Sequence, residues 1–130
     1  MIKKILPPLL ILLITISCGI LSSDWTYAPM RAQEILSITD SVDHRQRIEF
    51  TVLSSFNNSC YEYGYMDIYM NETEINIGFA QKKLSNDDIC LMVVESYEIN
   101  ESISITIPGQ YNLHFWRTDS TSIDTVVTVY

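Results

Sequence analysis

Strict alternation of apolar and polar residues in several short segments is the feature that most restricts the fold of this chain. Ile48, Phe50 and Val52 alternate with polar residues, and Ile75 and Ile77 begin a second series of the same kind. Side chains two positions apart lie on one face of a strand, so each series predicts a half-buried β-strand. Strands are predicted near residues 31–38, 47–55, 60–70, 73–81, 89–95, 101–107, 110–117 and 122–129.

The segments between these predicted strands are short and carry turn residues. Residues 57–59 read Asn-Asn-Ser, and Pro108-Gly109 is a second turn signal. No long stretch has the period of an amphipathic helix. Seven or eight short strands in about 100 residues predict an all-β fold built as an antiparallel β-sandwich.

The start of the chain has the order of a secretory signal peptide. Lys3 and Lys4 precede an apolar run over residues 5–16, and the small Ser17 and Cys18 follow it. Because spanning a bilayer takes about 20 apolar residues, this shorter run does not predict a permanent transmembrane helix. Residues 14–18 resemble a lipobox, the motif whose cysteine is diacylated before the signal is removed.

These observations divide the chain into three predicted parts: a lipoprotein signal peptide over residues 1–17, the lipidated Cys18 with a short tether over residues 18–30, and a sandwich domain over residues 31–130. An ordinary secretory signal cut near Ala28 is the alternative, and it would leave Cys18 in the discarded peptide. Both versions export the domain. The expected location is the cell envelope, with membrane contact through a lipid on Cys18.

The number of cysteines agrees with lipidation. Removing Cys18 from the three cysteines leaves Cys60 and Cys90, which we predict to form a disulfide in an oxidising compartment. Two buried free thiols are the alternative. A metal site is not expected, because His44 and His114 are isolated and the chain lacks a paired Cys or His spacing.

The charge of the chain is acidic. Sixteen Asp and Glu oppose eight Lys and Arg, two of which lie in the predicted signal peptide. A mature chain with a net charge of about −10 repels nucleic acid, so no nucleic-acid partner is expected.

A turn near the C-terminus carries the most informative local motif. Pro108 fixes φ, Gly109 permits a positive φ, and Tyr111 can bury its ring while its hydroxyl bonds back to the turn. We predict a structural role for these three residues. Tyr111 then resembles the tyrosine corner of immunoglobulin-like domains.

The order of several motifs carries a wider resemblance. Cys60, Cys90 and then Pro-Gly-x-Tyr-x-Leu from Pro108 to Leu113 precede a closing strand. In this order they resemble the small immunoglobulin-like lipoprotein domains of bacterial envelopes, over residues 48–130. The resemblance implies an immunoglobulin-like sandwich of seven or eight strands and an anchored location. It implies no catalytic residues.

A series of tyrosines is the candidate binding surface. Unbroken alternation would place Tyr61, Tyr63, Tyr65 and Tyr69 on one outward face of a strand, where they could stack on sugars or contact a protein. The alternative is that neighbouring strands cover the rings, or that a bulge at Gly64 splits the series.

The sequence offers no set of residues that predicts an active site. His114 lies between Leu113 and Phe115 on the expected outer face of its strand, and His44 lies in a polar loop. The chain has no Gly-rich phosphate loop. We therefore expect no enzyme and no cofactor.

Two functions remain as expectations. The first is a membrane-anchored envelope lipoprotein of non-catalytic binding or structural type, with an envelope protein or a glycan as partner. The alternative is an inhibitor of exported proteases that acts through turn loops at residues 57–59 and 84–88.

Overall fold

The computed structural model describes residues 24–85, 89–92 and 95–130. The predicted signal peptide, Cys18 and the first part of the predicted tether lie outside these residues. The described part of the chain is all-β. Its strands are β1 (Trp25–Met30), β2 (Glu34–Ile38), β3 (Ser41–Val42), β4 (Arg47–Ser55), β5 (Glu62–Asn71), β6 (Glu74–Leu84), β7 (Ser96–Ser104), β8 (Gly109–Thr118) and β9 (Thr121–Val129).

The strands form two sheets that pack against each other. Three strands make the smaller sheet, in the order β2-β4-β7. The larger sheet follows the order β1-β6-β8-β9-β3, and β5 also pairs with β6. The β3–β9 and β6–β8 pairs are parallel, whereas the other pairs are antiparallel.

Two strands share one edge of β6. On its other edge, β6 pairs with β5 from Glu74 to Lys82. Since a strand has only two edges, β8 and β1 must both lie on the remaining one. There β8 pairs with Glu74 to Ile77, and β1 pairs with Phe79 to Leu84. The junction between β8 and β1 therefore falls at Gly78.

The core between the sheets is built from the alternating apolar residues. Phe50 of β4 packs edge-on against Phe115 of β8, with ring centroids 5.1 Å apart, and Phe79 of β6 lies 6.3 Å from both. Each fully buried side chain of this size stabilises the fold by about 1.5–3 kcal/mol. Buried aliphatic residues surround these rings: Met30, Val42, Ile48, Val52, Ile75, Ile77, Ile99, Ile103, Ile105, Leu113, Val127 and Val129.

The bounds of three predicted segments need correction. Residues 25–30, assigned to the tether, form β1, because the edge of β6 is free to pair with them. The strand predicted at residues 101–107 is displaced to β7, whose ladder with β4 runs from Ser96 to Ser104. The strand predicted at residues 89–95 is wrong where it is described, since residues 89–92 lie outside any strand.

The disulfide prediction is confirmed. Cys60 and Cys90 are bonded, with their Cα atoms 5.4 Å apart. The backbone N–H of Ser59 donates to the carbonyl of Leu91 at 2.9 Å, and the N–H of Leu91 donates to the hydroxyl of Ser59 at 2.8 Å. These bonds hold Cys90 and Leu91 against the loop before β5.

The turn before β8 has the predicted tyrosine contact. The Tyr111 ring is buried, and its hydroxyl donates to the carbonyl of Ile107 at 2.7 Å. Gly109 does not adopt a positive φ, so the expected reason for a glycine there is wrong. The side chain of Tyr111 lies 3.5 Å from the place where a Cβ at Gly109 would stand, which is ordinary van der Waals contact.

Within residues 24–85, 89–92 and 95–130, the structure contains no helix with the length and apolar character needed to cross a membrane.

Candidate functional site

The four tyrosines of the predicted stripe do not share one face. The pairing of β5 with β6 shifts register between Tyr63 and Tyr65, so a bulge lies at Gly64. A Cβ at Gly64 would stand 2.9 Å from the carbonyl oxygen of Ala80, which is why the bulge requires glycine. The alternative that a bulge splits the stripe is therefore correct, and the continuous stripe is wrong.

Tyr63 faces the core rather than solvent. Its ring stacks on Tyr97, with centroids 5.9 Å apart, and its hydroxyl donates to a carboxylate oxygen of Glu101 at 2.8 Å. Burial and the hydrogen bond to Glu101 raise the pKa of Tyr63 above its usual value. Tyr63 thus joins the two sheets and is excluded from the binding surface.

The remaining tyrosines lie in two separate places. Tyr61 precedes β5 and lies beneath the ammonium group of Lys83, 5.3 Å from it. Tyr65 and Tyr69 follow the bulge and are exposed, at 50% and 67%. Only Tyr65 and Tyr69 therefore share an exposed region of β5.

Tyr65 and Tyr69 border a depression on the outer face of the larger sheet, which we call the Gly78 groove. It consists of two adjoining open depressions of about 390 and 350 Å³, which share Asp67, Gly78 and Trp116. Gly78 lies at the junction where β1 and β8 meet on β6. A Cβ there would meet nothing within 4 Å. The lack of a side chain at Gly78 therefore leaves space at the centre of the groove.

Aromatic residues from three strands line the groove. Tyr27 of β1 contacts Tyr65 of β5 edge-to-face, with centroids 5.5 Å apart. Trp116 of β8 is half-buried and lines both depressions. Tyr69 lines the larger depression. Large flat rings with few rotors offer apolar contact area at a low entropic cost.

Polar groups lie beside these rings. Asp67 is paired across the strands with Gly78, and Asn76 is paired with Tyr69. Thr118 and Ser122, from the β8–β9 hairpin, also line the larger depression. The groove thus combines ring faces with carboxylate, amide and hydroxyl groups, a combination suited to holding a small polar ligand in a defined orientation.

A group of charged residues borders the larger depression. The two ring nitrogens of His114 lie 2.6 Å from a carboxylate oxygen of Glu74 and 2.7 Å from one of Asp124. Asn112 donates to Glu74 at 3.0 Å, and the hydroxyl of Ser122 donates to Asp124 at 2.6 Å. These residues join β6, β8 and β9 on the outer face of the sheet.

The hydrogen bonds in this cluster favour its charged form. Bonds to Asp124 and then Glu74 raise the pKa of His114. The bond from His114 lowers the pKa of Glu74, and bonds from Ser122 and then His114 lower the pKa of Asp124. These bonds favour the protonated imidazole between the two carboxylates.

This arrangement does not activate a nucleophile. A serine nucleophile that is activated by histidine needs its hydroxyl to donate to a basic ring nitrogen. Here the hydroxyl of Ser122 donates to Asp124, and each ring nitrogen of His114 is engaged by a carboxylate. The cluster acts as a polar brace across three strands.

The described residues provide no metal-binding site. Among the described residues, no group of His, Cys, Asp and Glu is arranged to hold a metal ion. The two carboxylates at His114 lie on different sides of its ring and do not converge on one point.

No protein-family model, no curated protein and no solved structure matches the chain.

Sequence reasoning missed most of the groove. Tyr27 lies in the segment predicted as tether, and no sequence motif indicates Trp116 or Gly78. Trp116 alternates with Phe115 in the same way as His114, so an outward position was predictable. The meeting of β1 and β8 at Gly78 depends on pairing between distant segments, for which the sequence has no local signal.

Proposed function

We propose that this protein is a lipid-anchored, non-catalytic binding module of the cell envelope, and that the Gly78 groove holds its partner. The groove is the observation that carries the proposal. It is an open site on the face of a sheet, lined by aromatic residues and polar groups, and aromatic residues are enriched at binding surfaces. Anchoring rests on the lipobox-like sequence before Cys18.

An immunoglobulin-like sandwich is part of this proposal. The β2-β4-β7 sheet and the β8–β9 hairpin with β3 on its edge agree with such a sandwich, as does the hydroxyl bond of Tyr111. The parallel pairing of β6 with β8 departs from a fully antiparallel arrangement. We therefore infer a variant of the fold in which the β5–β6 hairpin has been added to β8 through β6.

The groove chemistry favours a partner with a flat apolar face and polar edges. Tyr65 and Trp116 offer ring faces, and Asp67 offers a carboxylate. The chain has a formal net charge of −8, which disfavours polyanionic partners. A neutral glycan fits these properties, and so does a neutral or basic segment of an envelope protein.

Filling the groove tests the proposal. The Gly78→Gln variant places a side chain in space that is empty in the structure, so it should block binding without strain. In cells, the tagged full-length protein is crosslinked, and its protein and glycan adducts are identified by mass spectrometry. We expect reproducible adducts from the wild type and several-fold fewer from Gly78→Gln.

A matched control separates blocking from general damage. Ser104→Gln adds the same side chain at an exposed position of the smaller sheet and should retain the adducts. The melting temperatures of both variants are compared with that of the wild type. Equal adducts from Gly78→Gln and the wild type would refute the groove as the partner site.

A second candidate function is inhibition of exported proteases. Of the two loops expected to act, residues 57–59 are described, and the disulfide with the two Ser59–Leu91 bonds braces them. A braced loop is what a substrate-like inhibitor needs, since rigidity lowers the entropic cost of binding. A panel of exported proteases assayed with the full-length protein tests this function. No inhibition at micromolar concentration would exclude it.

A further inference from the structure

Residues 89–92 carry apolar side chains that the fold leaves in solvent. Ile89, Leu91 and Met92 are 88%, 64% and 85% exposed. Single exposed apolar residues are common on protein surfaces, but a contiguous group marks an interaction site. We call these three residues the apolar loop.

The apolar loop is held in place. Cys90, between Ile89 and Leu91, is bonded to Cys60, and Leu91 exchanges two hydrogen bonds with Ser59. The loop therefore presents its side chains from a fixed attachment to the start of β5.

The chain enters the domain at the same end. The N–H of Ser85, at the end of β6, donates to the carbonyl of Asp24 at 3.0 Å, and Ile89 follows four residues later. Asp24 is six residues after Cys18. At no more than about 3.6 Å per residue, this stretch spans at most about 22 Å. A lipid on Cys18 thus keeps this end of the domain close to the bilayer.

Aromatic and lysine side chains lie at the same end of the domain, since Trp25 pairs with Leu84 at the end of β6 and Tyr61 follows the disulfide-bonded Cys60. The ammonium group of Lys82 is 4.4 Å from the ring centre of Trp25, and that of Lys83 is 5.3 Å from the ring centre of Tyr61. Tryptophan and tyrosine are enriched at the level of lipid headgroups, where lysine extends its charge to water from an apolar stem. This composition is suited to the water–bilayer boundary.

We propose that this end of the domain lies against the bilayer and that the apolar loop inserts into the interfacial region as a second membrane contact beside the lipid. The inference rests on the proposed anchoring at Cys18. Because the chain is acidic, the contact arises from apolar burial, and uncharged lipid is sufficient.

Photocrosslinking to lipid tests the contact. A benzophenone amino acid replaces Met92 in the full-length protein, which is reconstituted in phosphatidylcholine vesicles and irradiated. The matched control carries the probe at Ile107, which is 71% exposed. Because β8 runs parallel to β6 with Asn112 beside Glu74, Ile107 lies at the opposite end from Leu84.

We expect several-fold more lipid adducts from the Met92 probe than from the Ile107 probe. Equal lipid adducts from the two probes, or none from Met92, would overturn the inference. Capture of a protein and no lipid by the Met92 probe in cells, as expected of a protease inhibitor, would also overturn the inference.

Intact mass distinguishes this inference from the anchoring on which it rests. Acylated protein whose Met92 probe captures no lipid refutes the loop contact and retains the anchor. Protein without acyl chains on Cys18 refutes the anchor. In that case, adding vesicles to the unacylated protein tests the loop contact by itself. Lipid adducts from the Met92 probe would support the contact, and their absence would overturn it.

Discussion

The side chain of Tyr111 contributes to the core and to a turn at the same time. Its ring is only 5% exposed, and its hydroxyl donates to the carbonyl of Ile107 at 2.7 Å. Ring burial supplies the hydrophobic contribution, whereas the hydroxyl satisfies a carbonyl at the bend before β8. The two contributions can be separated, because phenylalanine retains the ring and removes the hydroxyl.

Tyr111→Phe should lower the free energy of unfolding by about 1 kcal/mol, the typical net value of one hydrogen bond. Urea denaturation of the full-length protein measures this change. Tyr130→Phe is the control, since Tyr130 is 61% exposed and should change stability much less. An unchanged midpoint for Tyr111→Phe would show that the hydroxyl bond adds nothing to stability.

Gln81 shows what sequence reasoning misses at the residue scale. Gln81 is fully buried: its amide donates to the carbonyl of Pro29 at 2.9 Å, and its oxygen accepts from the N–H of Asn57 at 2.8 Å. The role of Tyr111 was predictable because its partner lies four residues away. The partners of Gln81 come from a segment read as tether and from a turn, so no local pattern indicates them.

At the scale of strands, alternation predicted those that bury one face. β4 has the predicted bounds, and β9 begins one residue before the predicted start. β1 lies in the segment predicted as tether, because its strand character depends on pairing with the free edge of β6. The apolar composition of residues 89–92 predicts a strand wrongly, because composition does not distinguish a buried run from one held at the surface by a disulfide.

The candidate site was predicted only in part for the same reason. The alternation of tyrosines along the strand correctly places Tyr65 and Tyr69 on an exposed face, but it misplaces Tyr63, because a one-residue bulge exchanges the two faces of a strand. Gly64 indicated the bulge as an alternative. The remaining groove residues come from strands that are distant in sequence and adjacent only after folding.

The His114 cluster gives its three strands a pH-dependent contact. The folded state raises the pKa of His114 above its usual value of 6.5. Its contribution to stability is therefore complete below pH 6.5 and is lost as the pH rises through the pKa of the folded state. The folded state lowers the pKa of Glu74 below its usual value of 4.5. The contribution of Glu74 to stability is therefore present above pH 4.5 and is lost as the pH falls. The folded state also lowers the pKa of Asp124 from its usual value of 3.8, so the contribution of Asp124 to stability is likewise lost as the pH falls.

His114→Gln should therefore lower the melting temperature most between about pH 4.5 and 6.5, because the paired charges persist there in the wild type. The difference from the wild type should shrink as the pH rises above this window. Thermal unfolding at a series of pH values measures it. Ser104→Gln changes no titratable group, and its difference from the wild type should be independent of pH. A pH-independent difference for His114→Gln would refute the charged cluster.

At the scale of the whole molecule, the disulfide connects the fold to the expected location. Cys60 and Cys90 are 30 residues apart, and their bond closes a loop that contains β5 and β6. β6 pairs with β1, β5 and β8, so the closed loop includes the central strand of the larger sheet. Such a bond persists in an oxidising compartment, in agreement with the proposed export of the domain.

Loss of this bond should weaken the entire domain. On the chain-entropy model, closing a loop of this length stabilises the folded state by about 3–4 kcal/mol, against about 5–15 kcal/mol for a typical domain. The Cys60→Ser/Cys90→Ser variant should therefore unfold at a clearly lower urea concentration than the oxidised wild type. Adding reductant should bring the wild type to the midpoint of the variant, whereas the variant should not respond to reductant. Equal midpoints for the variant and the oxidised wild type would mean that sheet pairing alone maintains the fold, and that the bond serves mainly to hold the apolar loop against Ser59.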